Sequence, residues 1–163
     1  MTQRKTNLFH KQVLKEPLTL ENGVVIHYLK EPIIFILSTT IEKCIKVHNS
    51  YGDSIGIDEI TQHDRDAIQE AYKSLWNDFT NVEYIEPIMH KDNMMFFKLD
   101  ATSIIWNDDK KTQLMREWLP KCFAAKISLK LLGIMERDKV GFAIIHIDQV
   151  LFQPKKNQIK CIL

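Results

Sequence analysis

The stretch FAAKISLKLLGIMERDKVGFAIIHIDQVLF, residues Phe123 to Phe152, decides the fold. It reads as two long strands, Phe123 to Ile134 and Val140 to Phe152, joined by the polar turn Glu136-Arg137-Asp138-Lys139. In the first strand Lys126, Ser128 and Lys130 alternate with Ile127, Leu129 and Leu131, the period-two pattern of a strand with one face buried and the other wet. The wet face is cationic. Such a hairpin points to a small β-barrel that holds a polyanion.

Upstream of this hairpin the pattern is again of strands: about Val82 to Met89, then Met94 to Leu99 across the turn His90-Lys91-Asp92-Asn93, then Thr102 to Trp106. A short helix, about Thr112 to Leu119, is stopped by Pro120. Strand, strand, strand, helix, strand, strand over residues 82 to 152 is the order of the five-stranded Greek-key OB barrel. Further upstream, Leu18 to Tyr28 reads as two strands about Glu21-Asn22-Gly23, since Asn-Gly supplies the positive φ angles of a tight turn. Ile33 to Leu37 is a third strand, and Pro17 and Pro32 each precede a strand, where the missing N–H costs no ladder bond. His48 to Glu59, with two glycines, reads as a loop. Thr61 to Phe79 is the one long helix: Ile68, Ala71, Tyr72, Leu75, Trp76 and Phe79 share a stripe, read as core contact, and Thr61 with Asp64 forms a capping pair.

The expectation is therefore a mainly β protein, an OB-like barrel over 81–152 with an N-terminal strand extension, one long packing helix and one short helix. Residues 1–16 form a basic arm, 17–80 the N-terminal strands and helix, and 153–163 a basic tail, all within one domain of 163 residues. That length, at 45% hydrophobic content, suffices to bury a core. No apolar run approaches the ~18 residues of a membrane span, and Arg4 and Lys5 are not followed by the apolar region of a secretory signal. Cys44, Cys122 and Cys161 are widely spaced without a CxxC, which points to a reducing intracellular compartment. The ending Lys160-Cys161-Ile162-Leu163 is not a prenylation box, because its Cys is third from the end.

A net charge of +1 hides segregation. Gly52 to Asp92 carries ten acids against three bases, 3 − 10 = −7, whereas Lys110 to the end carries eleven bases against four acids, 11 − 4 = +7. The basic tract suits a polyanion and the acidic one a different contact. A single-strand binder needs aromatic planes for bases and cations for phosphates on one groove. Phe96 and Lys98, two residues apart, share a strand face while Met95, Phe97 and Leu99 take the other. Phe96 is assigned to stacking and Lys98 to phosphate pairing. Lys126 and Lys130 line the fourth strand, Arg137 and Lys139 its turn, and Trp106 ends the third strand beside Lys110 and Lys111.

Other chemistries fit less well. Gly52-Asp53-Ser54-Ile55-Gly56 matches GxSxG and the GDS block of some esterases, but it falls in an acidic loop, and no Asp-x-x-His pair accompanies it. The six histidines lack HxxxH or His/Cys ligand spacing, so neither a metal site nor a cofactor is expected. No phosphate-binding glycine motif occurs. Asp92, Asp100, Asp108 and Asp109 are the carboxylates a magnesium nuclease could use, but they sit at turns, where Asp is favoured anyway.

A resemblance adds to this reading. Asn22-Gly23 through Tyr28, Pro32 and Ile33 to Thr39 is similar to the opening of single-stranded-DNA-binding proteins of large double-stranded DNA viruses. Tyr84-x-x-Pro87-Ile88, Phe97-Lys98-Leu99, Thr102-x-Ile104, Leu129-x-Leu131-x-Gly133-Ile134, Gly141 and Gln149-Val150 resemble the same proteins' barrel half. The resemblance spreads over roughly residues 20 to 152. It implies an OB fold that binds single strands without catalysis, acting in DNA replication, recombination or repair in the cytoplasm or nucleus of a host cell. Its partners are then single-stranded DNA and replication proteins, with RNA and homo-oligomerisation left open. The chain departs from the pattern by ending in Lys155, Lys156 and Lys160, where many single-strand binders carry an acidic tail. The rival expectation from another class is a protein-interaction or virion-structural module docking through the acidic region 52–92.

Overall fold

The computed structural model describes residues 14–50, 52–75, 83–84 and 94–154. Among these residues it is mainly β, with a closed five-stranded barrel and one α-helix. The strands are β1 (Leu18–Thr19), β2 (Val25–Ile36), β3 (Ile41–Asn49), β4 (Gly52–Ile57), β5 (Glu83–Tyr84), β6 (Met95–Trp106), β7 (Cys122–Arg137) and β8 (Val140–Phe152), and α1 (Gln62–Ser74) lies between β4 and β5.

The barrel closes through β3, β4, β6, β8 and β7. Antiparallel ladders join β3 to β4, β4 to β6, β8 to β7 and β7 back to β3, while β6 and β8 run parallel. Inside the ring, alternate residues of each strand meet: Ile55 and Ile57 of β4, Met95, Phe97 and Leu99 of β6, Ile127, Leu129 and Leu131 of β7, and Ile145, Ile147 and Val150 of β8 are all buried. Full closure removes the exposed edges that an open sheet of this size would carry.

The long β7–β8 hairpin stands where expected, but β7 runs on through Glu136 and Arg137, so the turn narrows to Asp138 and Lys139, both at positive φ (51° and 64°), between the paired Arg137 and Val140. Its edge partner is shared along its length. β3 takes the first part of β7, from Ile41↔Ala125 to Ile45↔Cys122, and β2 takes the rest, from Ile36↔Ser128 to Val25↔Glu136. Gly133 makes that second contact close, since a Cβ there would stand 2.1 Å from the His27 carbonyl oxygen.

Several expectations change. The barrel does not begin at residue 81: its first two strands are β3 and β4, so the segment 48–59 expected as a loop holds the end of β3 and the whole of β4, a strand of the ring. Two glycines in the six residues of β4 conceal the strand, because glycine weakens a strand taken alone; here ladders on both edges supply what propensity does not. The two strands expected at 94–99 and 102–106 are one strand, β6, with a register shift between Leu99 and Ile104. Likewise Ile33–Leu37 is not separate: β2 runs on from the Asn22-Gly23 turn, with its irregularity between Tyr28 and Ile33. The expected short helix 112–119 reduces to a single 3-10 turn, Arg116–Trp118. Of the expected strand 82–89 only Glu83–Tyr84, parallel to β8, falls within the described residues. The basic arm up to residue 13, Trp76, Phe79, and the lysines at 155, 156 and 160 lie outside them.

α1 begins as expected, with the Thr61 hydroxyl accepting the Asp64 N–H at 3.2 Å. Its Ile68, Tyr72 and Leu75 are buried in the same core as the barrel strands. Asp64 also binds Ser38, accepting its backbone N–H at 2.9 Å and its hydroxyl at 2.8 Å, so the helix start is tied to the β2–β3 connection. At the other end of the barrel, Lys46 donates to the carbonyls of Arg116 (3.3 Å) and Leu119 (2.7 Å), which holds buried Leu119 against the core.

Candidate nucleic-acid interface

The outer face of β4 is nearly bare of side chains. Its inward positions hold Ile55 and Ile57, which leaves Gly52, Ser54 and Gly56 facing out. Across the ladder Gly56 pairs with Phe96 and Ser54 with Lys98. The Phe96 ring lies over Gly56 so closely that a Cβ there would meet its Cε1 at 2.8 Å, and the ring is still 43% exposed. The stem of Lys98 reaches across Gly52, its Cε 3.7 Å from where a Cβ would be. An aromatic surface and an ammonium thus stand side by side above a shallow floor of backbone, with the alternation along β6 that the sequence predicted. Ser54 sits mid-strand between Val47 and Lys98, not on a strand-to-helix turn, so the geometry that GxSxG needs for a nucleophile is not formed.

Beyond Lys98 the same outer face continues over β8 and β7, where Lys98 is level with His146 and His146 with Lys130. Here the expectation of a wet, cationic row fails at Lys130. Lys130 is only 4% exposed, its ammonium 2.9 Å from Asp100 and donating also to the Thr102 hydroxyl. The irregular segment of β6 between Leu99 and Ile104 brings Asp100 and Thr102 over β8 onto Lys130. His146 Nδ1 lies 2.8 Å from the second oxygen of Asp100. Burial alone would raise the Asp100 pKa, but hydrogen bonds from His146, Lys130 and Thr102 outweigh it and hold the carboxyl well below the usual carboxylate range. Lys130 is therefore a neutralised structural ion, not a phosphate ligand.

The remaining candidates divide by position. Trp106 is half-buried on the outer face, its indole N–H donating to the Gln149 side chain at 3.0 Å. Leu151 separates it from Lys126, which is exposed as expected. From the Lys98 row to the Trp106 row β8 advances five residues, roughly 16 Å at ~3.3 Å per residue. Lys110 and Lys111 are exposed in the turn past Trp106, where Lys110 has φ 60° and Asp109 accepts the N–H groups of Lys111 and Thr112. Arg137 and Lys139 are exposed at the hairpin tip, far along β7 from Lys126. The structure thus joins Phe96, Lys98, Trp106 and Lys126 on one face and puts the other four exposed cations at its ends.

The acidic tract, by contrast, is partly used up inside the fold. Hydrogen bonding from His48 at 2.5 Å, with Arg116 beside it, lowers the Asp53 pKa. Burial opposes ionisation of Asp64, yet its bonds from Ser38 and Thr61 win and lower its pKa. Of the cysteines, Cys44 is a free, fully buried thiol whose burial pushes its pKa up.

Two features escaped the sequence. The glycines of β4 were visible but read as a loop, although their spacing of four put both on one strand face. Trp118, read as part of a short helix, is 73% exposed. No protein-family model, no curated protein and no solved structure matches this chain.

Proposed function

We propose that the chain is a sequence-independent single-stranded DNA-binding protein built on an OB-type barrel, serving DNA replication, recombination or repair. The observation that carries this is Phe96 beside Lys98 above Gly56 and Gly52: one plane for a base and one cation for a phosphate, on a floor open enough for a strand to lie on. Counted around the ring in chain order, β3, β4, β6, β7 and β8 are strands one to five; the first bonds to the second and fourth, and the third runs parallel to the fifth. That connectivity is consistent with the Greek key of the OB barrel, and OB barrels bind oligonucleotides on the face of strands two and three, flanked by the loops between strands one and two and between strands four and five. Phe96 and Lys98 lie on that face, and Arg137 and Lys139 at the strand four to five turn.

Anisotropy of a fluorescently labelled oligo-dT, titrated with the protein at two salt concentrations, tests the reading. Saturable binding that weakens at the higher salt is expected. Absence of binding at low salt, or an affinity indifferent to salt, refutes it.

A further inference from the structure

We propose that Trp118 is a second stacking platform for the single strand, beyond Lys98 from Phe96; this rests on the single-strand reading above. Trp118 is 73% exposed and Met115 beside it 63%, an unusual presentation for the apolar residues of a short turn next to a well-packed core. The turn itself is not loose. Arg116 donates to the carbonyls of Leu99 (3.2 Å) and Asp100, and Lys46 to the carbonyls of Arg116 and Leu119. Trp118 N–H donates to Met115 O at 2.9 Å, and Leu119, the next residue, is buried. The backbone on both sides of the indole is thus pinned to the barrel while the ring is left to solvent. With its backbone already fixed, stacking a base on the ring costs only the ordering of its two side-chain torsions.

Its position favours a nucleic acid over a protein. The Arg116 contacts fix the turn at Leu99 and Asp100, immediately past Lys98 on the same strand. On the other side Lys121 is exposed, its carbonyl bonded to Lys46 N–H at 2.8 Å, and Lys43 is exposed on β3. Glu117 is the acid within the turn. Leu99 and Asp100 lie three and four residues from Phe96, about 10–13 Å along a strand. A single strand of several nucleotides can cover that distance along β6 to the turn that carries Trp118, within the ~4–16 nucleotides that one OB fold covers.

The test uses the full chain, with wild type, Trp118→Ala, Trp118→Phe and Phe96→Ala each titrated into labelled oligo-dT of about 12 nucleotides. Trp118→Ala should weaken binding by about 5- to 150-fold, the equivalent of ~1–3 kcal/mol per stacked base. Trp118→Phe should recover most of it, and thermal melts of both should match wild type because the ring is exposed. Wild-type affinity in Trp118→Ala, with a loss in Phe96→Ala, overturns this inference and leaves the single-strand reading standing; failure of the wild type to bind sinks the reading itself. A drop in sedimentation mass of Trp118→Ala without loss of affinity would assign the ring to self-association and also overturn the inference. Should Trp118→Ala melt early, Trp118→Gln takes its place, and wild-type affinity there overturns it equally.

Discussion

A buried ammonium is costly unless a partner and hydrogen bonds replace its water, and Lys130 has both in Asp100 and Thr102. Lys126, four residues earlier on the same strand face, has neither need, because it is exposed. The two lysines are equivalent in the sequence pattern and opposite in role. Asp100→Ala should cost about 3–5 kcal/mol of stability in urea unfolding, since it strands the Lys130 charge, whereas Lys126→Glu should leave the unfolding midpoint nearly unchanged and weaken oligonucleotide binding. Equal stability losses would mean that the two lysines are alike. Alternation alone showed which residues share a face; it could not show that a neighbouring strand would fold over part of that face. The Asp100 carboxyl adds a pH dependence. A carboxyl held below its unfolded value contributes stability that is complete above about pH 4 and lost as pH falls through the folded-state value. Urea midpoints should therefore drop as pH goes from about 4 towards 2, and Asp100→Asn should flatten part of that drop, Asp53, Asp64 and Asp109 keeping the remainder. Parallel curves for the two proteins would remove Asp100 from the explanation.

At the scale of elements, two glycines do different things. A Cβ at Gly56 would meet the far side of the Phe96 ring, which can swing away, whereas one at Gly133 would meet the backbone of His27 and Tyr28, which β2 cannot easily yield. Gly133→Ala should cost stability at the upper end of the ~1–3 kcal/mol of overpacking, or more. Gly56→Ala should change stability little and lower oligonucleotide affinity by displacing the ring. A Gly56→Ala variant with wild-type affinity would argue that Phe96 does not need its place above β4. The long elements were legible because they carry their own periodicity: the β7–β8 hairpin, the start of α1 at Thr61, and the alternation of Met95, Phe96, Phe97 and Lys98. β3 and β4 were not. In β3 the ladder with β7 shifts register between Ile41 and Cys44, which breaks the alternation, and in β4 glycine stands where a strand usually shows a side chain. Both are strands by virtue of distant neighbours: β3 pairs with β7, 122 − 45 = 77 residues on at Ile45↔Cys122, and β4 with β6, 98 − 54 = 44 residues on at Ser54↔Lys98.

For the molecule as a whole, closure of the barrel decides which of the many cations can act together. The excess after Lys110 suggests a large positive surface, but the fold spends Lys130 on Asp100 and Arg116 on two carbonyls and Asp53, and puts Arg137 and Lys139 at the hairpin tip. Lys98 and Lys126 remain on the face itself, with Lys110 and Lys111 beyond Trp106. Each phosphate neutralised on a single strand contributes about −0.7 to the slope of log K against log salt. If those four lysines make the contacts, the slope should be near −3, and if the hairpin cations join them it should approach −4. Lys126→Gln should make the slope shallower by about 0.7 and weaken all base sequences alike, because a phosphate contact carries no sequence information. Lys139→Gln separates the two arrangements: an unchanged slope keeps the strand away from the hairpin tip, and a slope shallower by the same increment brings the tip into the interface. A wild-type slope near zero would show that charge does not hold the ligand, and would return the basic tract to an ordinary solvated surface.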